Sequence, residues 1–467
     1  MRENFFDNLE QYGDRAALIT ESAEVVSYSE LAGRADEIAS GVPPRCVVFQ
    51  MCRNDAESVA AYVGFLRRGA VPVLLDDSLD GVLLDALMDA YMPPFAFLPS
   101  SQTRGGDAIY GHGAYSLVRT GFGVGCDVNP ELALLLSTSG STGSPKLVRI
   151  SHENIASNAR SIIEYLKITP GDRAITTLPM SYTYGLSIVN THLGAGASLV
   201  LTEKTMMERE FWNLLKEREA TTFGGVPYTY EMLKKLRFGR MELPSLRYLT
   251  QAGGRLSPEL CAEFIEIAER KGIEFIVMYG QTEATARMSY LPWERAKGKP
   301  GSMGIAIPGG EFWVVGGDGE RILAPNRVGE LMYRGKNVAL GYAENRFDLA
   351  KGDERGGVLA TGDMAYFDSD GFYYIAGRKK RFLKIYGNRV NLDEVEALLK
   401  NAGFDCACGG TDDALRIYTT AADLDALRKF VLERTSINPA GFSAARIENI
   451  PRNSSGKVLY SELERGR

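Results

Sequence analysis

The sequence has little of what a metal-bound, disulfide-bonded or nucleic-acid-binding protein needs. Its 467 residues hold only six cysteines and three histidines. The cysteines (Cys46, Cys52, Cys126, Cys261, Cys406 and Cys408) form no CxxC pair, and three dispersed histidines cannot complete a zinc site with them. Cys406 and Cys408 alternate as in a strand, which makes them packing residues. A reduced, cytoplasmic protein without a structural metal is expected. An excess of positive charge is missing too. Lys and Arg total 53 against 59 Asp and Glu, a net charge of -6, which leaves no cationic footprint for nucleic acid. The segment after Met1 is charged from the start and has no apolar leader. Ala174 to Thr202 is free of charged side chains, yet Pro179, Gly185 and Asn190 interrupt it. It reads as a buried strand, helix and strand rather than a membrane span, so no membrane insertion is expected.

What is present is a globular mixture, 45% hydrophobic and 24% charged, long enough for two or three domains. Short apolar segments alternate with amphipathic ones through roughly the first 300 residues, the pattern of layered α/β sheets. Val47–Phe49 precedes a helical stretch at Ala56–Arg67, and Ala70–Leu75 and Glu131–Leu136 are further buried strands. Ser151 caps a helix from about His152 to Tyr165. From Gly304 to Ala376 the sequence turns β-rich, and Asp370-Gly371 between two apolar runs is a strong hairpin signal. The cationic run Lys379-Lys380-Arg381 follows, then two helical stretches, Asp393–Asn401 and Leu424–Thr435. A boundary is placed near Gly377–Lys380, giving an N-terminal domain over 1–377, with a β-rich subdomain at about 304–376, and a C-terminal domain over 378–467.

The sharpest chemical feature is the run from Ser137 to Lys146, STSGSTGSPK. Its hydroxyls and backbone amides can close around phosphate oxygens, its glycines let the backbone approach, and Lys146 adds a point charge. It is not a Walker A loop, because GxxxxGK[ST] is absent and the next segment, Leu147–Ile150, reads as a strand rather than a helix. A kinase or P-loop ATPase is therefore remote. Gly121-Phe-Gly-Val-Gly125 is set aside as a dinucleotide fingerprint: no strand is expected before it and no acidic partner follows at the right distance.

The phosphate loop resembles that of the adenylate-forming superfamily, which includes acyl-CoA synthetases, adenylation domains and luciferases. That family's loop reads TSG[ST]TGxPKG, and Thr138, Ser139, Gly140, Ser141, Thr142, Gly143 and Lys146 fall in register, with Leu147 replacing the last glycine. The resemblance continues along nearly the whole chain. His152 and Asn154 match an HxN position, and Tyr279-Gly280-Gln281-Thr282-Glu283 matches the YGxTE segment. By the resemblance Tyr279 stacks on adenine, Thr282 binds the α-phosphate and Glu283 holds Mg²⁺. Alone, a Tyr and a Glu near a strand end would read as structural. Ala252, Gly253 and Gly254 match the other wall of the adenine slot.

Asp363 and Arg378 lie seven residues on either side of Asp370-Gly371, so a hairpin would bring them together. Geometry alone favours a salt bridge closing the hairpin, whereas the resemblance implies a clamp on the ribose hydroxyls. Lys380 sits at the family's hinge, Lys384 in its IKxxG segment for the second half-reaction, and Lys457 on its mobile PxxxSGK loop as the catalytic lysine. Leu178 to Ser187 resembles the segment that borders the acyl pocket, with Tyr182 where a histidine is common. Tyr182, Tyr184, Val226 and Ala252 are candidate pocket residues, with plain core packing the equal alternative.

The resemblance implies an α/β fold: two layered sheets and a β-rich subdomain in a large N-terminal region, then a small mobile α+β C-terminal domain. It implies a ligase that uses ATP and Mg²⁺ to activate a small carboxylic acid as an acyl-adenylate. Transfer to coenzyme A follows, or to the pantetheine arm of an acyl carrier protein. A catalytically inactive relative acting as a nucleotide sensor or scaffold is the alternative of another class. It predicts the loss of charged site residues, and Lys146, Glu283, Asp363, Arg378 and Lys457 are all retained.

Overall fold

A computed structural model describes residues 6–79, 81–103, 106–123, 125–137, 146–386, 388–435, 437–452 and 458–465. The chain divides into two compact units. One comprises 1–312 and 333–359, the other 313–332 and 360–467. This division falls within the β-rich stretch.

The larger unit is built on two extended sheets. Val47–Cys52, Val71–Asp76 and Leu132–Ser137 lie side by side and parallel in an eight-stranded sheet. Val47–Cys52 is buried throughout and the other two strands are buried except at their last residue, as their nearly continuous apolar sequence requires when both faces are covered. Leu147–Ser151 runs back antiparallel to Leu132–Ser137, so the strand expected after the phosphate loop is present. The second sheet has nine strands, among which Thr222–Gly225, Tyr248–Gln251 and Glu274–Tyr279 are parallel neighbours. One apolar cluster draws on both sheets (Leu18, Val48, Leu74) and on helices Tyr28–Ala39, Ala56–Arg68 and Thr183–Gly194. The helices thus supply the layer whose burial holds both sheets, as expected for layered α/β units.

The uncharged stretch resolves as strand Arg173–Ile175, helix Thr183–Gly194 and strand Ser198–Val200. Among the described residues no helix is long and apolar enough to cross a membrane. Ser151 caps helix His152–Leu166 through a capping box in which Asn154 closes back on the Ser151 amide at 2.8 Å. One expectation fails. Strand Tyr115–Arg119 does precede Gly121, its alternation hidden by the polar residues of an antiparallel pair near the sheet edge. Among the described residues the next helix begins only at His152, so the segment is still no dinucleotide loop.

Val358–Phe367, which belongs to the smaller unit from Ala360 on, and Tyr373–Arg378 form the expected hairpin. Near the turn Tyr366 faces Tyr374, and an uninterrupted ladder would set Asp363 opposite Gly377. A bulge between Met364 and Ala365 shifts the register by one residue and puts Asp363 opposite Arg378. Beyond it lie Phe382–Ile385 paired with Asn388–Asn391, and a three-stranded sheet of Cys406–Thr411, Ala414–Thr419 and Phe442–Arg446. Helices Leu392–Asn401 and Leu424–Arg434 close an apolar core that includes Cys406 and Cys408. Both thiols are fully buried in packing positions.

Candidate active site

Three parallel strands of the nine-stranded sheet end at one place, and their carboxyl ends carry the segments singled out by sequence. This is where ligands enter open α/β sheets. Thr222–Gly225 leads into Val226, Tyr248–Gln251 into Ala252, Gly253 and Gly254, and Glu274–Tyr279 into Gly280 to Glu283. Gln251 donates from Nε2 to the Gly254 carbonyl at 2.9 Å and fixes this turn, in which Gly253 adopts φ 82°. A side chain at Gly253 would meet the Tyr182 hydroxyl at 2.7 Å and Val226 at 3.0 Å, so the glycine is required by space as well as by backbone. Tyr182, Val226, Ala252 and Gly253 are thereby brought together. Tyr184 is fully buried beneath them, its hydroxyl donating to the Thr250 carbonyl at 2.8 Å.

The turn carrying Thr282 and Glu283 is held from three sides. Asn158, on helix His152–Leu166, donates to the Arg287 carbonyl at 2.9 Å. Asn337 donates to the Ala284 and Arg287 carbonyls at 2.9 and 2.8 Å. The Ala339 amide and the Arg355 guanidinium both donate to the Glu283 carbonyl, at 2.9 and 3.0 Å. Asn154 ties the helix to the same loop by donating to the Lys336 and Val338 carbonyls at 2.7 and 2.9 Å. The polar match at Asn154 is therefore a structural brace, made while the same side chain caps its helix. Gly280 is pinned as well, because a Cβ there would lie 1.7 Å from the Ala286 carbonyl oxygen.

Two residues that the sequence did not single out complete this cluster. The Tyr342 hydroxyl donates to Glu283 Oε1 at 2.8 Å, while Lys146 Nζ sits 3.8 Å from the centre of the Tyr342 ring. Arg355 faces the same ring at 4.7 Å. Burial, followed by the Glu283 charge, pushes the Tyr342 phenol up to about 12, so it remains a donor at neutral pH. Tyr342 lies 59 positions beyond Glu283 in the chain, and no local pattern signals it. Its strand Gly341–Ala343 pairs with Leu147–Ser151, which delivers it beside the end of the phosphate loop. One carboxylate beside two cations and a phosphate-type loop is an arrangement for polyphosphate.

Mg²⁺ suits this donor set. Among the described residues no group of three or more metal-ligating side chains exists, and Mg²⁺ characteristically binds one or two carboxylates together with substrate phosphates. Glu283 offers one carboxylate of that kind at the end of the phosphate loop.

In the smaller unit, Arg378 Nε lies 3.2 Å from Asp363 Oδ1, and Asp363 is buried while Arg378 is exposed. The Asp363 amide donates to Thr361 Oγ1 at 3.1 Å. Lys380 lies in the short helix Lys379–Arg381, and Lys384 stands opposite Arg389 in its strand pair. Thr138, Ser139, Gly140, Ser141, Thr142, Gly143 and Lys457 lie outside the described residues.

Comparison with known proteins agrees with this geometry. Residues 124–343 match the family of AMP-binding enzymes. Oxalate–CoA ligase of Arabidopsis thaliana is 33% identical over 348 residues, covering 70% of this chain and 66% of that protein. Indoleacetate–CoA ligase of Aromatoleum aromaticum is 31% identical over 402 residues, covering 80% of this chain and 78% of that one. The chain thus spans about two thirds of the plant relative's length. Among solved structures, the O-succinylbenzoate coenzyme A synthetase from Bacillus subtilis in complex with AMP superposes with a TM-score of 0.82. It covers 100% of this chain and 99% of its own at 24% identity, which establishes the shared fold. With the motifs in order and the fold in common, the chain belongs to the adenylate-forming, AMP-binding superfamily, of the acyl-CoA synthetase type.

Proposed function

We propose that the protein is an ATP-dependent acid–thiol ligase that converts a small carboxylic acid into its coenzyme A thioester. In the first half-reaction a carboxylate oxygen attacks the α-phosphorus of ATP. The bond to the bridging oxygen breaks and pyrophosphate leaves. In the second, a thiolate attacks the acyl carbon, AMP departs with the electrons of the acyl–oxygen bond, and the thiol proton passes to solvent.

The carrying observation is the Lys146–Tyr342–Glu283 cluster at the end of the phosphate loop. Positioning and charge stabilisation dominate such phosphoryl chemistry. Lys146 places positive charge beside the departing phosphates. Tyr342 orients Glu283 to hold Mg²⁺, which when bound offsets negative charge on the phosphate oxygens. Thr282 is assigned to the α-phosphate, with Tyr279, Gly280, Gln281, Gly253 and Gly254 around the adenine. Asp363 and Arg378 are assigned to the ribose, a role in keeping with a buried carboxylate next to an exposed guanidinium. Lys457 is assigned to adenylate formation and Lys384 to thioester formation, with Lys380 as the hinge of a C-terminal lid beginning near residue 378. Tyr182, Tyr184, Val226 and Ala252 border the acid pocket. The two relatives named above act on oxalate and indoleacetate, both small acids, which favours coenzyme A and a compact acyl group.

The test is pyrophosphate release from ATP and Mg²⁺ across fatty, aryl, amino and dicarboxylic acids, with hydroxylamine as acceptor. Products are then weighed with coenzyme A or an acyl carrier protein supplied. A thioester of coenzyme A is expected. A thioester on the carrier alone would reassign the acceptor. No pyrophosphate from any acid, in folded protein, would refute the proposal.

A further inference from the structure

A cavity of about 20 Å³ lies beneath the acid pocket, and the groups lining it are unusual for a core. Three buried polar atoms have no hydrogen-bond partner and belong to residues that line it: Arg287 Nε, Tyr248 Oη and His192 Nε2. The three residues are 3%, 2% and 3% exposed. A buried polar group without a partner costs about 1–3 kcal/mol, and a charged one more. Three such groups on one cavity point to something that fills it.

Arg287 is the decisive member. Its guanidinium stacks 3.9 Å over the Tyr184 ring, Nη1 makes a long 3.5 Å contact to the Ala286 carbonyl, and the Tyr165 and Tyr184 phenols are its further side-chain partners, while Nε has none. Among the described residues no carboxylate pairs with it. The acid nearest in its effect on Tyr248 and His192 is Asp172, already engaged by Arg247, by the Thr169 amide at 2.8 Å and by Thr221 at 3.0 Å. A desolvated cation without a counter-ion costs several kcal/mol. His192 Nδ1 lies 2.9 Å from the Ile188 carbonyl, which can only accept, so Nδ1 carries the proton and Nε2 is a bare acceptor.

The cavity is placed to receive the far end of a bound acid. It is lined by Thr222 and Gly224 on one strand and Tyr248 and Thr250 on the next. Two residues further along the same strands stand Val226 and Ala252, which border the proposed pocket, a rise of about 7 Å. Gly224 is required at the join by the Tyr184 ring, whose hydroxyl would lie 2.8 Å from a Cβ there.

We propose that this cavity is an anion subsite of the acid pocket, in which Arg287 receives the distal carboxylate of a short dicarboxylic acid. The Tyr248 hydroxyl donates a second hydrogen bond to that carboxylate, and His192 Nε2 accepts from a water beside it. The inference rests on the reading that the protein activates a carboxylic acid, and it names the class.

Succinate, glutarate and adipate are compared with butyrate, valerate and hexanoate in the pyrophosphate assay, for the wild type, Arg287→Met and Arg287→Lys. Thermal unfolding is followed with the same acids. Charge-assisted hydrogen bonds predict a ten- to hundredfold preference, roughly, for a dicarboxylate in kcat/KM. That preference disappears in Arg287→Met and partly survives in Arg287→Lys. A dicarboxylate also raises the unfolding temperature of the wild type and leaves that of Arg287→Met unchanged. If Arg287→Met does not fold, the wild-type comparison and Arg287→Lys decide. Monocarboxylates that equal or surpass the dicarboxylates in rate and in thermal shift overturn the subsite, leaving water in the cavity and the ligase reading intact. A thermal shift specific to dicarboxylates without pyrophosphate release sustains the subsite and overturns acid activation instead.

Discussion

The Tyr342 hydroxyl donates to Glu283 Oε1 at 2.8 Å, joining the strand that flanks the phosphate loop to the turn that carries the proposed Mg²⁺ ligand. The bond fixes one carboxylate oxygen and leaves Glu283 a single orientation toward bound phosphates. Tyr342→Phe is expected to lower the rate of pyrophosphate release about tenfold, the loss of one charge-assisted hydrogen bond. It should also raise the Mg²⁺ concentration for half-maximal rate. An unchanged Mg²⁺ titration would remove Tyr342 from the metal site.

Lys457 is assigned to the first half-reaction alone. Lys457→Ala should reduce adenylate formation by about 10²–10³, the usual cost of one lost charge-stabilising contact. Thiolysis of supplied acyl-adenylate should continue at nearly the wild-type rate. Equal loss of both half-reactions in folded protein would contradict the assignment.

Burial pushes the His192 imidazole down to about 4 from its ordinary 6.5. The unfolded chain takes up a proton at this residue between those values and the folded protein does not. Stability from His192 is therefore complete above pH 6.5 and is lost as the pH falls toward 4, by about 3 kcal/mol in all. Urea unfolding at pH 7.5 and pH 5 should show a drop about 2 kcal/mol larger in the wild type than in His192→Asn, whose amide keeps the bond to Ile188. Identical drops would show that His192 is not the group responsible.

Arg149 is fully buried, and its guanidinium donates to the Tyr342 and Gly352 carbonyls at 3.0 and 3.1 Å and to Glu354 at 2.5 Å. Its partner Glu354 is half-exposed. Arg149→Met removes the donor from the buried Leu340 carbonyl and the part-buried Tyr342 and Gly352 carbonyls and should cost about 3–5 kcal/mol in urea unfolding. Glu354→Gln breaks only a solvent-screened pairing and should cost about 1 kcal/mol or less. Equal costs would mean that the ion pair, rather than the carbonyl contacts, is what Arg149 supplies.

Sequence alone settled whatever is written in local pattern. Near-continuous apolar runs such as Val71–Asp76 specified buried parallel strands, because strands covered on both faces leave no position for polar alternation. Asp370-Gly371 specified a hairpin, and the order of the motifs specified the family. The edge-side strand Tyr115–Arg119 was illegible, because its polar residues face outward near the sheet margin. Tertiary structure decided what no window of sequence contains. Asp363 does face Arg378, as the hairpin reading expected, but by way of a bulge between Met364 and Ala365 that no pattern signalled. The Leu147–Ser151 pairing delivers Tyr342 to Glu283. The packing of helix Thr183–Gly194 on the sheet puts His192 at one cavity with Tyr248 and Arg287. These residues meet only because strands distant in sequence share one sheet, and burial then withdraws the water that would otherwise satisfy them.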